Sequence, residues 1–145
     1  MIKDYDNVLI LRPRLPITSD LHPRSLLTKI IHYKKVVNVP NSITVFDDLL
    51  PIAVDLIEKK KTGIYNFCNP GCVPHNFVLA LYKKHIDPNF TWQNFTVEEQ
   101  SHILAAPRSN NYLNTDKLEA EYPDLLPIDK SLELLFIRLK NNLNK

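Results

Sequence analysis

The sequence predicts an α/β fold: the C-terminal part of a doubly wound parallel sheet, joined to a mostly helical lobe. Three observations carry this. Two short apolar runs, from Val8 to Leu11 and from Ile64 to Phe67, have the length of strands and stop at turn signals. The order of segments is strand, helix, helix, strand, helix, which is that of a parallel βαβ crossover. Two strands alone cannot make a stable parallel sheet, because such sheets are covered on both faces. The pattern therefore fits one half of a larger domain.

Each element has a local reason. The strand at Val8 to Leu11 is stopped by Pro13, and an Arg/Pro loop follows it. Pro23 opens a helix whose Leu26, Leu27, Ile30 and Ile31 share a face. Val36 to Val39 reads as a short β-like segment closed by Pro40-Asn41-Ser42. Asp48 is expected to cap the next helix, since Pro51 is tolerated only near a helix start. Leu49, Leu50, Ala53, Leu56 and Ile57 of that helix are expected to face inward, Lys59-Lys60-Lys61 to form its last turn, and Gly63 to stop it. After the second strand, Asn69-Pro70-Gly71 is a turn and Pro74 opens a helix through Phe77, Leu81 and His85. Thr96-Val97-Glu98-Glu99 is a capping box for a short helix ending near Ala105. Asn114 or Thr115 begins another, ended by Pro123. Asp129 is expected to cap the last helix, with Leu132, Leu135, Phe136 and Leu139 as its apolar stripe.

The chain has 145 residues, enough for one ordinary domain with a real core. Its 18 basic and 16 acidic residues nearly balance, which argues against a nucleic-acid or membrane-surface binder. No apolar stretch approaches the ~20 residues that span a bilayer, and Lys3, Asp4 and Asp6 interrupt any signal-peptide pattern at the N-terminus. Two cysteines make no disulfide scaffold, so a reducing, cytoplasmic setting is expected. With glycine only at 63 and 71, no Gly-rich phosphate loop is available.

Candidate chemistry is sparse. Cys68, Cys72 and His75 lack the spacing of a metal or redox motif, and structural roles suit the two cysteines better; no metal site is expected. The histidines are scattered and no serine-centred nucleophile elbow occurs. Asp47-Asp48 reads as helix capping rather than an acid/base pair. Phe90, Trp92 and Phe95 read as core packing. Arg12, Arg14 and Arg24, with Thr18 and Ser19, follow the first strand, where ligands of open α/β sheets bind. The chain is thus expected to open in the middle of a binding site. Ala106-Pro107-Arg108-Ser109-Asn110-Asn111 places a guanidinium, a hydroxyl and two amides on a Pro-fixed loop. That set suits an anionic, hydroxyl-rich ligand. It is equally the make-up of a polar surface loop bonded to its own backbone.

Several uncommon strings recur in a recognisable order: Leu11-Arg12-Pro13-Arg14-Leu15-Pro16-Ile17-Thr18-Ser19-Asp20-Leu21, Pro23-Arg24, and the stretch from Val36 to Val45. Asp48-Leu49-Leu50-Pro51-Ile52, Gly63-Ile64-Tyr65-Asn66-Phe67, Asn69-Pro70-Gly71, Asn94-Phe95-Thr96 and the 106–111 stretch continue the series. With them the chain resembles, over nearly its whole length, the C-terminal half of an extended short-chain dehydrogenase/reductase of the nucleotide-rhamnose branch. That branch includes the 3,5-epimerase/4-reductases of UDP-rhamnose synthesis and dTDP-4-dehydrorhamnose reductases. The resemblance implies a Rossmann-type enzyme whose N-terminal half binds NADPH or NADH. It implies that Leu15, Pro16 and Ile17, with Arg14, lie beside the nicotinamide and sugar ring. Arg24 and Ser25 would approach the sugar or phosphates, Asn38 and Val39 the base end, and Arg108 the diphosphate, with Asn110 or Asn111 beside it.

The family's Gly-rich loop is absent, and no tyrosine here has a lysine four residues later, so the Tyr-x-x-x-Lys pair that donates the proton is absent too. No catalytic residue is therefore assigned, and the 145-residue chain alone is expected to be inactive. The partners implied are a UDP- or dTDP-linked sugar and a separate N-terminal half or self-association, with no nucleic acid or membrane. An apolar sheet face left bare would favour poor solubility.

Overall fold

The computed structural model describes residues 5–96, 98–99 and 112–145. Strand β1 (Leu9–Arg12) pairs in parallel with β4 (Gly63–Asn66), Ile10 opposite Ile64 and Leu11 opposite Tyr65. Strand β2 (Pro16–Ile17) pairs in parallel with β3 (Thr44–Val45). The helices described are α1 (Leu26–Ile30), α2 (Phe46–Glu58), α3 (His75–His85), α4 (Asp116–Glu121) and α5 (Ile128–Leu143). The parallel crossover is present, and the fold is α/β. The described sheets are two-stranded.

Two cores lie under these elements. The first gathers α1, β2, β3, α3 and α5 around Ile17, Leu27, Val45, Leu79, Leu132 and Phe136, with Phe90 and Trp92 packed against it. Phe90 and Trp92 stack, their ring centroids 6.0 Å apart, so the packing expected of them holds. The predicted stripe of α5 is wholly buried. The second core joins Leu49 and Leu56 of α2, Tyr65 and Phe67, and Leu118 of α4, against Leu9 and Leu11 of β1. Alternation along the strands puts Ile10 and Ile64 on the opposite face. Neither belongs to a core cluster, and Ile64 is exposed.

Several expectations are corrected. The 36–39 segment forms no strand: Val36 makes one isolated bridge to Asn94, and β3 lies further on, where Thr44 and Val45 continue the backbone that meets β2. Helix α1 starts at Leu26, after Pro23, with Ser25 at its N-cap. Helix α2 starts at Phe46 directly from β3, with Val45 at its N-cap, so Asp48 lies in the first turn and caps nothing. Likewise Pro127 precedes α5, and Asp129 is a first-turn residue. Leu50 and Ile57 are exposed, because the buried arc of α2 is narrower than its apolar arc. Gly63 does not stop α2. The helix ends earlier: the Lys61 N–H donates to Leu56 C=O and the Lys60 N–H to Ile57 C=O, both at 2.9 Å. This is a Schellman closure with Lys60 at φ 52°, the left-handed position usually given to glycine. The three lysines therefore lie past the last helical turn. Gly63, at φ 91°, starts β4 instead.

The capping box at residue 96 forms reciprocally: the Thr96 N–H donates to Glu99 Oε2 at 2.9 Å and the Glu99 N–H to Thr96 Oγ1 at 3.1 Å. The predicted end of that helix near Ala105 lies outside the described residues. Thr115 is the N-cap of α4, one of the two starts predicted. No described helix is long and apolar enough to cross a membrane.

Candidate functional site

Parallel strands present a crevice beyond their carboxyl ends, where the chain leaves the ladder. Here β2 ends at Ile17 and β3 at Val45, and the residues that follow them, Thr18 and Phe46, face a cavity of about 320 Å³. Pro16, Asp20, His22, Arg24 and Ser25 complete its lining. Its walls are mainly apolar, from Pro16 and Phe46, while Arg24 and Asp20 bring opposite charges to it. The charged form of the Asp20 carboxyl is favoured here. The Thr18 hydroxyl, donating at 2.6 Å, holds its carboxyl below the ordinary range, and the His22 backbone N–H adds to this.

Four of the residues singled out from sequence line this cavity: Pro16, Thr18, Arg24 and Ser25. Ser25 is buried, and its Oγ accepts the Thr18 N–H at 3.3 Å. Arg24 is exposed, with its backbone N–H directed to His22 Nδ1 at 3.2 Å. Ile17 is fully buried in the first core, so its side chain is turned into the protein. Leu15 packs partly on that core at φ 45°, a left-handed conformation costly for a branched side chain.

A second group assembles around Arg14. Its backbone N–H donates to Thr44 Oγ1 at 2.9 Å, and its Nη2 donates to Asn41 Oδ1 at 2.8 Å. Asn41 Nδ2 in turn donates to Val39 C=O at 2.9 Å. The fold thus joins Arg14 to the 38–41 segment, bringing together residues predicted for opposite ends of a ligand. Asn38 is exposed and Val39 half-buried. Asn41 was missed as a site residue because Pro-Asn-Ser reads first as a turn; its place in the same recurring string was the available signal. Arg14 Nε is buried and unpaired among the described residues, a donor left for a further acceptor. Arg108, Asn110 and Asn111 lie outside the described residues.

A larger cavity, of about 400 Å³, opens beside α2 and α4 between Asp48, Ile52 and the 121–126 segment. It is lined by three acids and no cation, and two of the acids, Glu121 and Asp48, are already engaged. Glu121 pairs with Lys61 at 2.9 Å and accepts the Tyr65 hydroxyl at 2.5 Å. Asp48 accepts the Ser131 hydroxyl and pairs with Arg138 at 3.0 Å. The cavity bounded by Arg24 is therefore the better candidate for an anionic ligand. Among the described residues no three metal-ligating side chains come together.

No family model matches the chain. An Arabidopsis thaliana bifunctional dTDP-4-dehydrorhamnose 3,5-epimerase/dTDP-4-dehydrorhamnose reductase is 53% identical over 133 residues, covering 91% of this chain and 44% of that protein. A trifunctional UDP-glucose 4,6-dehydratase/UDP-4-keto-6-deoxy-D-glucose 3,5-epimerase/UDP-4-keto-L-rhamnose-reductase of the same plant is also 53% identical over 133 residues, which are 20% of its length. The crystal structure of a UDP-rhamnose synthase from Acanthamoeba polyphaga mimivirus superposes with a TM-score of 0.87 at 44% identity, over 94% of this chain and 48% of that one. A Bacillus anthracis dTDP-4-dehydrorhamnose reductase, solved with NADP, shares the fold at a TM-score of 0.63 and 17% identity. The chain spans less than half the length of these relatives. It is a homologue of the C-terminal region of these bifunctional and trifunctional relatives.

Proposed function

We propose that this chain is the sugar-nucleotide-binding part of a reductase/epimerase that makes a nucleotide-linked 6-deoxyhexose such as UDP- or dTDP-rhamnose. The observation that carries it is the cavity at the carboxyl ends of β2 and β3, with Arg24 on its wall. A guanidinium suits a diphosphate, and the apolar Pro16 and Phe46 suit a ring. Arg14, with its spare Nε–H, offers a second cationic contact. The chain leaving Asn111 is held two residues later, where the Leu113 N–H donates to Ser42 Oγ at 2.9 Å, next to Asn41. That supports assigning Arg108, Asn110 and Asn111 to the same ligand.

The cofactor of this reading is NADPH or NADH, which supplies the hydride that reduces the 4-keto carbon. The residues present fit only its nicotinamide end, at Leu15 and Pro16. Nothing in the sequence provides a Gly-rich cradle for its pyrophosphate. This chain's part is to grip the nucleotide, orient the sugar and exclude water. Residues 1–145 form one such unit, and a further α/β half supplies the dinucleotide site and the proton-donating tyrosine.

A second reading is a non-catalytic sugar-nucleotide binder or a partner module for a separate half. The sheet face of Ile10 and Ile64, which joins no core cluster among the described residues, favours a partner there. Calorimetric titration with UDP and dTDP tests binding: the wild-type chain should bind, and Arg24→Ala or Arg108→Ala should weaken it about tenfold, the loss of a charged hydrogen bond. A cofactor-oxidation assay with a nucleotide 4-keto-6-deoxy sugar should show no turnover by this chain alone. Turnover should appear when the N-terminal half of the bifunctional relative is added. Equal affinity in wild type and both variants would sink the site assignment.

A further inference from the structure

We propose that Asp47 is the positioning residue of the cavity wall: its carboxylate clamps loop 18–25 in the position that presents Arg24 to an anionic ligand. The clamp deepens the nucleotide-binding reading and rests on it.

Asp47 stands in the first turn of α2, where an acidic side chain commonly serves its own helix. It makes no cap bond here. Both its oxygens instead reach 28 residues back to Ser19: Oδ2 accepts the Ser19 N–H at 2.9 Å and Oδ1 accepts the Ser19 hydroxyl. Two contacts to one residue fix its direction as well as its place. Asn142, in the last turn of α5, donates to Ser19 C=O at 3.1 Å. The N–H, hydroxyl and carbonyl of Ser19 are thus all held, by two helices that contribute to the two cores.

The rest of the loop is strung from that point. Asp20 accepts from the Thr18 hydroxyl and from the His22 N–H at 3.2 Å. His22 accepts the Arg24 N–H on its ring and the Ser25 N–H on its carbonyl, the latter at 2.9 Å. Ser25 Oγ closes the circuit on the Thr18 N–H. Each bond is local, so the circuit sets the shape of the loop but not its position against Phe46 and Pro16. The Asp47 clamp sets that position. A loop already ordered spares the ligand the entropy of ordering it on binding.

The neighbouring Asp48 provides an internal contrast. It lies on the same helical turn and also makes two contacts, but to Ser131 and Arg138 of α5, away from the cavity. Losing Asp48 should cost stability without touching the loop.

The test measures amide hydrogen exchange over residues 18–25 and UDP affinity in the full chain, for wild type, Asp47→Ala, Asp47→Asn and Asp48→Ala. In Asp47→Ala the loop amides should exchange at least about tenfold faster relative to α5, and the UDP Kd should rise about tenfold. Asp47→Asn keeps one acceptor oxygen and should recover part of both, while Asp48→Ala should lower the melting temperature and leave both unchanged. If Asp47→Ala does not fold, Asp47→Asn and Ser19→Ala carry the same readouts with smaller shifts. Unchanged loop exchange in Asp47→Ala overturns the clamp, whatever UDP does. Faster exchange with unchanged affinity overturns its role in binding and leaves the nucleotide reading standing. Faster exchange in a protein whose wild type takes no UDP supports the clamp and overturns the nucleotide reading.

Discussion

Asn69 Oδ1 accepts the backbone N–H of Val45 at 2.9 Å, so the turn after β4 holds the residue at which β3 becomes α2. The same side chain donates from Nδ2 to Leu126 C=O at 3.2 Å and to Ser131 Oγ at 3.1 Å, and it is fully buried. One amide thereby joins a strand end, the approach to α5 and α5 itself. Removing it takes the partner from the buried Val45 N–H and from the Leu126 carbonyl, while Ser131 keeps Asp48; an unpaired buried group costs on the order of 1–3 kcal/mol. Asn69→Ala should lower the thermal midpoint by about 5–10 °C in differential scanning calorimetry. A change within about 2 °C would show that the junction does not depend on it.

Lys60 offers the opposite experiment. Its left-handed backbone closes the α2 Schellman motif, and its side chain is exposed. Glycine adopts that conformation without steric cost. Lys60→Gly should raise stability by about 0.5–1 kcal/mol, a gain of a few degrees in midpoint. Lys60→Val should lower it, since a β-branched residue tolerates positive φ poorly.

Stability should fall at both ends of the pH scale, for separable reasons. Burial, then the nearby Glu121, pushes the Tyr65 hydroxyl from 10.0 up to about 12. Between those values the folded state keeps a proton that the unfolded state releases, so this contribution is intact below pH 10 and lost on the way to about 12. Tyr65→Phe should flatten that alkaline limb. Lys61 and then Tyr65 lower the Glu121 carboxyl, and Lys84 chiefly lowers that of Glu133. Their contribution is present above the ordinary carboxylate range and is lost as pH falls through it. Urea midpoints measured from acid to alkali, for wild type and Tyr65→Phe, check both limbs. Superimposable alkaline limbs would remove Tyr65 as their cause.

The two thiols should separate cleanly. Cys72 is exposed, whereas Cys68 is buried beside Thr44, and burial pushes its thiol up. A thiol-reactive chromophore should label Cys72 within minutes and Cys68 only on unfolding. Cys72→Ser should abolish the fast phase alone.

Much of this fold was legible because its signals were periodic. The α5 stripe of Leu132, Leu135, Phe136 and Leu139, the capping box of Thr96 and Glu99, and the parallel pairing of the two apolar runs all appear as read. The errors came where a residue had two uses. Asp47 and Asp48 look like caps, yet they bind distant partners, because β3 runs into α2 with no loop left to cap. Lys60 takes the position usually given to glycine, and sequence spacing alone cannot show a left-handed lysine. In the site, Arg24 was found through the shared Pro23-Arg24 string and Ser25 through the resemblance alone, and the fold places both on one cavity. Asn41 and Asp47 were not found, since their roles arise from contacts 27 and 28 residues apart.

Strand β1 pairs with β4 on one side, and its other row of backbone donors and acceptors has no strand against it among the described residues. Such a row is a template for any extended segment that meets it, including the same strand from a neighbouring molecule. The ladder it offers is only four rungs long, and Arg12-Pro13-Arg14 ends it with two cations and a residue that cannot donate. A proline and an exposed arginine at a strand end are the residues that discourage fibrillar growth. Replacing both arginines with valine should turn a tolerable edge into a seed for β-aggregation.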